Sequence, residues 1–369
     1  MNELYSTLSI FVTGGLFLAC GLIFLFMAIP GNPLLDNYRK ARYAMAFAYL
    51  FFFAVEIAKY LSRDLPVYHV PLLRTVTLTI AASQAFAFTF AMLALIDVRF
   101  PGWRSILREA IPALGLVAAV ATVYACCSEA CFNTAFYGFA AIYALLLARY
   151  TFLFRKNYRL FRYRMDNYFS GPETGRLRWV AFSFYAALSV GVMALLTSAF
   201  MSTLVALIFT FVFDIFYTFF AIRFINYPHR FRAIERAMDD GMPEEARQPE
   251  DENAHRTSAV STLETNLKKW LDGKRFLQPG ITIDDVALQI GTNRNYLSEH
   301  INSAKGKTFR RWINELRIEE ARRLLQQYPE MTVSEIAFKS GFVNKSHFGQ
   351  QFLALTGSSP SNWRKQNKN

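Results

Sequence analysis

The stretch TVSEIAFKSGFVNKSHFGQQF, residues 332–352, repeats a pattern already present in TIDDVALQIGTNRNYLSEHIN, residues 282–302. Thr282 aligns with Thr332, Asp285 with Glu335, Ala287 with Ala337 and Gly291 with Gly341. Such an internal repeat points to one supersecondary unit used twice. Thr282 and Thr332 fit helix N-caps, each followed three residues later by an acid that closes a capping box. Val286 and Ile336 face a core, the adjacent alanines let a second helix cross closely, and the glycines give the backbone freedom of a turn. Beyond the glycine the second copy carries one extra residue. Leu297 and Ile301 in the first copy, and Phe348 and Phe352 in the second, therefore form apolar pairs at i, i+4. Each copy reads as helix, tight turn, helix.

With those pairs buried, the second helix of each copy turns a polar face outward. The first offers Arg294, Asn295, Ser298, Glu299 and Asn302; the second offers Asn344, Lys345, Ser346, His347, Gln350 and Gln351. These side-chain types hydrogen-bond base edges and phosphates in a major groove. Between the copies, FRRWINELRIEEARRLLQQ, residues 309–327, places Phe309, Ile313, Leu316, Ala321, Leu324 and Leu325 at helical spacing. A rigid connecting helix of this kind suits two reading helices held about one DNA turn, roughly 34 Å, apart. Residues 256–369 hold 18 Lys plus Arg against 10 Asp plus Glu, a net of +8, which suits a polyanionic partner.

The combination GITIDDVALQIGTNRNYLSEHIN, RIEEARRLL and TVSEIAFKSGFVNKSHFGQQFLALTGSSPSNWRK resembles the paired helix-turn-helix domain of AraC-type (AraC/XylS family) transcription regulators, over Leu263 to Lys365. Trp363 stands where that family more often has Tyr or Phe. The resemblance implies an all-helical domain whose Arg294 and Asn344 helices read DNA, attached to an amino-terminal part that receives a signal or controls dimerisation. In most relatives that part is soluble, so nothing about its usual sensor transfers to this chain.

Here the amino-terminal part is apolar instead. Of the 369 residues, 53% are hydrophobic and 36 are Phe, yet the formal charge is +12, so apolar and basic material is segregated along the chain. A hydrocarbon core about 30 Å thick needs about 20 apolar residues in a helix. Runs near 6–29, 42–61, 73–96, 110–127, 133–154, 178–199 and 203–225 predict seven spans, the fourth being the shortest. The first run lacks a basic leader and is too long for a signal peptide, so it is expected to stay in the mature chain. Basic residues alternate between connections: Arg39, Lys40 and Arg42 in the first, Arg99, Arg104 and Arg108 in the third, and Arg155 to Arg178 in the fifth, with the others poor. This predicts an amino terminus outside a bacterial inner membrane and a cytoplasmic tail. Ionisable residues within spans are functional candidates by default, which singles out Asp214, Glu56, Lys59 and Arg149 as candidates for sensing a signal. Glu56 and Lys59 sit three apart on one helix face, and Arg149 is placed to snorkel to the interface.

The expected organisation is all-α: a seven-helix transmembrane sensor and dimerisation domain over 1–225, a charged flexible linker over 226–261, and a DNA-binding domain over 262–369. Expected partners are double-stranded DNA, membrane lipid, a second copy of the chain, an unidentified small-molecule or membrane signal, and RNA polymerase. A competing reading is a transporter or membrane enzyme that regulates its own expression, but it needs more polar residues on facing spans than this sequence offers. No nucleotide-binding glycine loop, metalloprotease helix or serine-hydrolase elbow is present, so neither enzyme activity nor a cofactor is expected. Cys20, Cys126, Cys127 and Cys131 lack metal-site spacing; a disulfide from Cys131 to Cys126 or Cys127 and simple packing are both open readings.

Overall fold

The structure is a computed structural model that describes residues 9–29, 31, 35–61, 70–96, 103–126, 129–171, 178–199, 203–228 and 252–367. Most of the expected linker, residues 229–251, lies outside the described residues, as does Cys127. The chain divides into two compact units: residues 1–161 with 177–235, and residues 162–176 with 236–369. Among the described residues there is no β-strand, only an isolated antiparallel bridge between Phe169 and Thr282.

The first unit opens with a short π-helix, Ser9–Gly14, that runs into α1, Gly15–Phe26. It continues with α2 (Asp36–Leu61), α3 (Val70–Ile96), α4 (Trp103–Cys126), α5 (Glu129–Tyr168), α6 (Arg178–Ala199) and α7 (Thr203–Ile225). Each apolar run of the sequence coincides with one of these helices. Among the described residues, five stretches are long and apolar enough to cross a membrane: Asp36–Ala58, Thr77–Ile96, Thr134–Tyr168, Arg178–Ser198 and Ile208–Ile225. The count therefore differs from the seven expected. The apolar helix Ile10–Phe26 is too short over the described residues. The first turns of α4 carry Arg104, Arg108 and Glu109, and Pro112 lies inside it.

Aromatic side chains supply the core. Phe17 packs against Tyr49, Phe52, Phe213 and Tyr217 with ring centroids 4.9 to 5.7 Å apart, so α1, α2 and α7 share one cluster. Buried phenol groups need hydrogen-bond partners, and carbonyls on neighbouring helices provide them. Tyr49 Oη donates to Tyr217 O at 2.8 Å, Tyr38 Oη to Phe224 O at 2.8 Å and Tyr227 Oη to Leu95 O at 2.6 Å. Thr13 Oγ1 donates to Asp214 Oδ2 at 2.8 Å, leaving Oδ1 buried with no hydrogen-bond partner. Arg149 is paired with a carboxylate. Its Nε and Nη2 donate to Glu109 at 2.9 and 2.8 Å, because α4 brings a carboxylate within reach of its fork. Glu56 lies near Gly14, while the side chain of Lys59 is outside the described set, so their pairing stays an expectation. Cys20 is buried and Cys126 exposed, both as free thiols; the Cys131 side chain lies outside the described set.

In the second unit, α8 (Glu252–Asp272) is followed by a 3-10 turn, Arg275–Leu277, and by α9 (Ile283–Ile290), α10 (Arg294–Lys305), α11 (Phe309–Gln327), α12 (Val333–Lys339), α13 (Lys345–Thr356) and α14 (Pro360–Gln366). The core of the second half joins Ile318, Ala321, Leu324 and Leu325 of α11 to Ile336, Ala337, Phe342, Phe348, Phe352 and Trp363. On the other side of α11, Trp312 stacks on Trp270 with centroids 5.9 Å apart, and Trp270 Nε1 donates to Gln289 Oε1 at 2.7 Å. The connecting helix is thus the shared wall of two small cores.

Candidate nucleic-acid interface

Both copies of the repeat fold as helix-turn-helix, and the local chemistry explains why. Thr282 and Thr332 each complete a capping box. The Thr282 hydroxyl accepts from Asp285 N at 3.3 Å while Asp285 Oδ2 accepts from Thr282 N at 2.8 Å; Glu335 repeats the arrangement at 3.2 and 2.8 Å. Gly291 and Gly341 then take left-handed backbone, with φ of 71° and 85°. Asn293 Oδ1 accepts from Tyr296 N at 2.9 Å to cap α10, and Asn344 Oδ1 accepts from His347 N at 2.8 Å to cap α13. These two caps place the extra residue of the second copy in the turn rather than in either helix.

The apolar pairs are inside. Leu297, Phe348 and Phe352 are fully buried, and Ile301 nearly so. On the outer side of α10, Asn295 and Glu299 are exposed while Arg294, Ser298 and Asn302 are half-buried. Asn302 Nδ2 donates to Ser298 Oγ at 3.3 Å, one turn apart. On α13, Lys345, Ser346 and Gln350 are exposed, as is the capping Asn344, and Gln351 is half-buried with its Oε1 accepting from Asn314 Nδ2 at 3.4 Å.

His347 stands apart from this group. It is buried, its ring lies 5.6 Å from Phe342, and its Nε2 is 3.2 Å from Arg310 Nη2. Burial, with the guanidinium groups of Arg310 and Arg317, pushes its pKa down to about 4, so it is neutral near pH 7.

Sequence reasoning missed three residues that build the site: Asn293, Arg310 and Arg317. Arg317 is almost wholly buried; its Nε donates to Phe276 O at 2.9 Å and its Nη2 to Gln278 O at 2.7 Å. Burial lowers its pKa to about 10, which still leaves it charged at neutral pH. It ties the connecting helix to the turn that precedes the first helix-turn-helix. A signal for it was present, since Arg317 falls on the apolar stripe between Ile313 and Ala321 at steps of four.

Two second helices with polar outer faces, each following a capped helix and a tight turn, define a paired helix-turn-helix. Residues 275–366 match the family model described as a helix-turn-helix domain. The chain is 34% identical over 85 residues to an uncharacterized HTH-type transcriptional regulator in the cgkA 5′ region of Pseudoalteromonas carrageenovora, covering 23% of this chain and 49% of that one. It is 30% identical over 112 residues to the transcriptional activator NphR of a Rhodococcus species, covering 30% and 31%. It is also 31% identical over 106 residues to the HTH-type transcriptional activator RhaR of Salmonella dublin, covering 28% and 37%. The carboxyl-terminal domain is therefore an AraC-type helix-turn-helix domain. This chain matches less than half the length of each of these relatives.

Proposed function

We propose that the protein is a membrane-embedded one-component transcription regulator, which binds duplex DNA through α10 and α13 under the control of a signal received by its apolar helices. The observation that carries this reading is the joining, in one chain, of two helix-turn-helix units with buried apolar pairs and outward polar faces to helices apolar enough to span a bilayer.

Within this reading all seven amino-terminal helices are spans, the short first helix and α4 completing the bundle. The chain then starts outside a bacterial inner membrane and ends in the cytoplasm, where DNA is reachable. Residues 1–225 form the sensing and dimerising part, 226–261 the tether and 262–369 the DNA-binding part. Asn295, Ser298, Glu299, Lys345, Ser346 and Gln351 face the DNA with Arg294 and Asn302. Asn344 combines contact with capping, and His347 supports Arg310 from below. Asp214, held by Thr13, is the leading candidate for receiving the signal, with Glu56, Lys59 and Arg149 as further candidates. A second copy and RNA polymerase complete the set of partners, and no enzymatic step is assigned.

The test is footprinting of the full-length protein in lipid nanodiscs on DNA upstream of its own gene, beside a variant carrying Asn295→Ala and Lys345→Ala. Protection of two successive major grooves, lost in the variant, is the expected result. Absence of protection even at low salt would overturn the reading.

A further inference from the structure

The unit that holds both helix-turn-helix copies also includes residues 162–176, the segment at and beyond the end of α5. Within that unit residues 166–170 contact the repeat region. Tyr168 Oη donates to Asp284 Oδ2 at 2.5 Å. Its ring lies 5.8 Å from the guanidinium of Arg294, whose Nε is 4.0 Å from Asp284 Oδ1. Phe169 bridges Thr282, and Ser170, fully buried, donates from both Oγ and N to Ile281 O at 2.6 and 3.4 Å. Two residues before Tyr168, Asp166 Oδ1 accepts from Arg310 Nη1 at 3.0 Å. Arg310 in turn reaches His347, at the start of the second reading helix.

The chemistry of the segment is selective. The stretch from Arg155 to Arg178 carries seven basic residues against two acids, yet the side chain set against Arg310 is an acid, Asp166. A carboxylate paired with a guanidinium offers the same oxygen geometry as a DNA phosphate. Arg294 occupies the first turn of the first reading helix, where phosphate and base contacts concentrate. A guanidinium held in a carboxylate pair, or against an aromatic ring, is not available to a phosphate in the same place.

We infer that residues 166–170 are an intramolecular clamp that competes with DNA for Arg294 and Arg310. This rests on the DNA-binding reading above. The clamp includes the last residues of the helix Glu129–Tyr168, Asp166 and Tyr168 among them. DNA affinity is then a balance between clamp and duplex, and a signal that shifts α5 alters it.

The test measures binding of full-length protein, in nanodiscs of phosphatidylethanolamine and phosphatidylglycerol, to duplex DNA from upstream of its own gene across a salt series. The forms compared are the natural chain, the double variant Asp166→Asn with Tyr168→Phe, and separately Ser170→Ala, which loosens the docking without touching a charge. The clamp predicts about tenfold tighter binding by the double variant at fixed salt. It also predicts a log–log salt slope steeper by about 0.9 for each phosphate contact regained. Ser170→Ala should move both quantities in the same direction by a smaller amount. Equal or weaker binding by both variants, with an unchanged slope, overturns the clamp while leaving the DNA-binding reading intact. If the double variant loses binding through misfolding, Ser170→Ala decides: a gain supports the clamp and no gain overturns it. If no form binds at the lowest salt, the DNA-binding reading fails and the clamp falls with it.

Discussion

The two turn glycines hold the same place in the repeat but differ in surroundings, which allows a matched test of the structure. Gly291 and Gly341 both have positive φ, so alanine at either costs about 1–2 kcal/mol in backbone conformation. Around Gly291 a Cβ would meet nothing within 4 Å. At Gly341 the same atom would lie 2.5 Å from the carbonyl oxygen of Leu277 and 2.9 Å from Nε of Arg317. Neither neighbour can move freely, because one is backbone and the other is a buried side chain tied to Phe276 and Gln278. Relieving such a clash by shifting packed groups adds about 1–3 kcal/mol. Gly341→Ala should therefore lose about 2–5 kcal/mol in all, and Gly291→Ala only the conformational part. Urea unfolding of a fragment spanning residues 252–369, followed by fluorescence of Trp270, Trp312 and Trp363, measures the difference at unchanged m-value. Equal losses at the two positions would show that the close approach of the second turn to Leu277 and Arg317 is absent.

Other expectations follow from single residues. The unfolded chain protonates His347 near the ordinary value of 6.5 and the folded domain only near pH 4, so stability is fully present above about pH 6.5. As pH falls from 6.5 toward 4, each unit favours the unfolded chain by about 1.4 kcal/mol; His347→Gln should flatten that limb of a pH–stability curve, and an unchanged limb would place the histidine in solvent. Asn344→Ala should cost about 1 kcal/mol of stability through the lost cap, while Asn344→Ser restores the cap. If Asn344 also contacts a base, the serine variant remains deficient in footprinting; full recovery by serine would reduce the residue to its capping role. Asp214→Asn should alter transcriptional response in cells without changing DNA affinity of the solubilised chain, and an unaltered response would return Asp214 to a packing role beside Thr13.

What the sequence disclosed and what it concealed have a common physical explanation. Features set by near neighbours were legible. The capping boxes at Thr282 and Thr332, the left-handed glycines and the buried i, i+4 pairs depend on residues a few positions apart, and the structure places each as its spacing implies. The apolar runs were legible for the same reason, and each coincides with a helix over the described residues. Residue type misleads where one side chain serves two ends. An asparagine at the start of a reading helix looks like a base contact and is also a good cap, and Asn344 is engaged as the cap. His347 precedes Phe348 and so borders the buried face, where its neighbours are Phe342 and Arg310. The contacts least accessible to sequence reading are those of long separation, Asp166 with Arg310 and Tyr168 with Asp284, which no periodicity announces. Asp166 engages Arg310 at the start of α11, and the Tyr168 ring lies beside the guanidinium of Arg294 at the start of α10. Under the clamp proposed above, how tightly DNA is bound depends on residues outside the repeat, and a fragment lacking residues 162–176 should bind more tightly than the chain it came from.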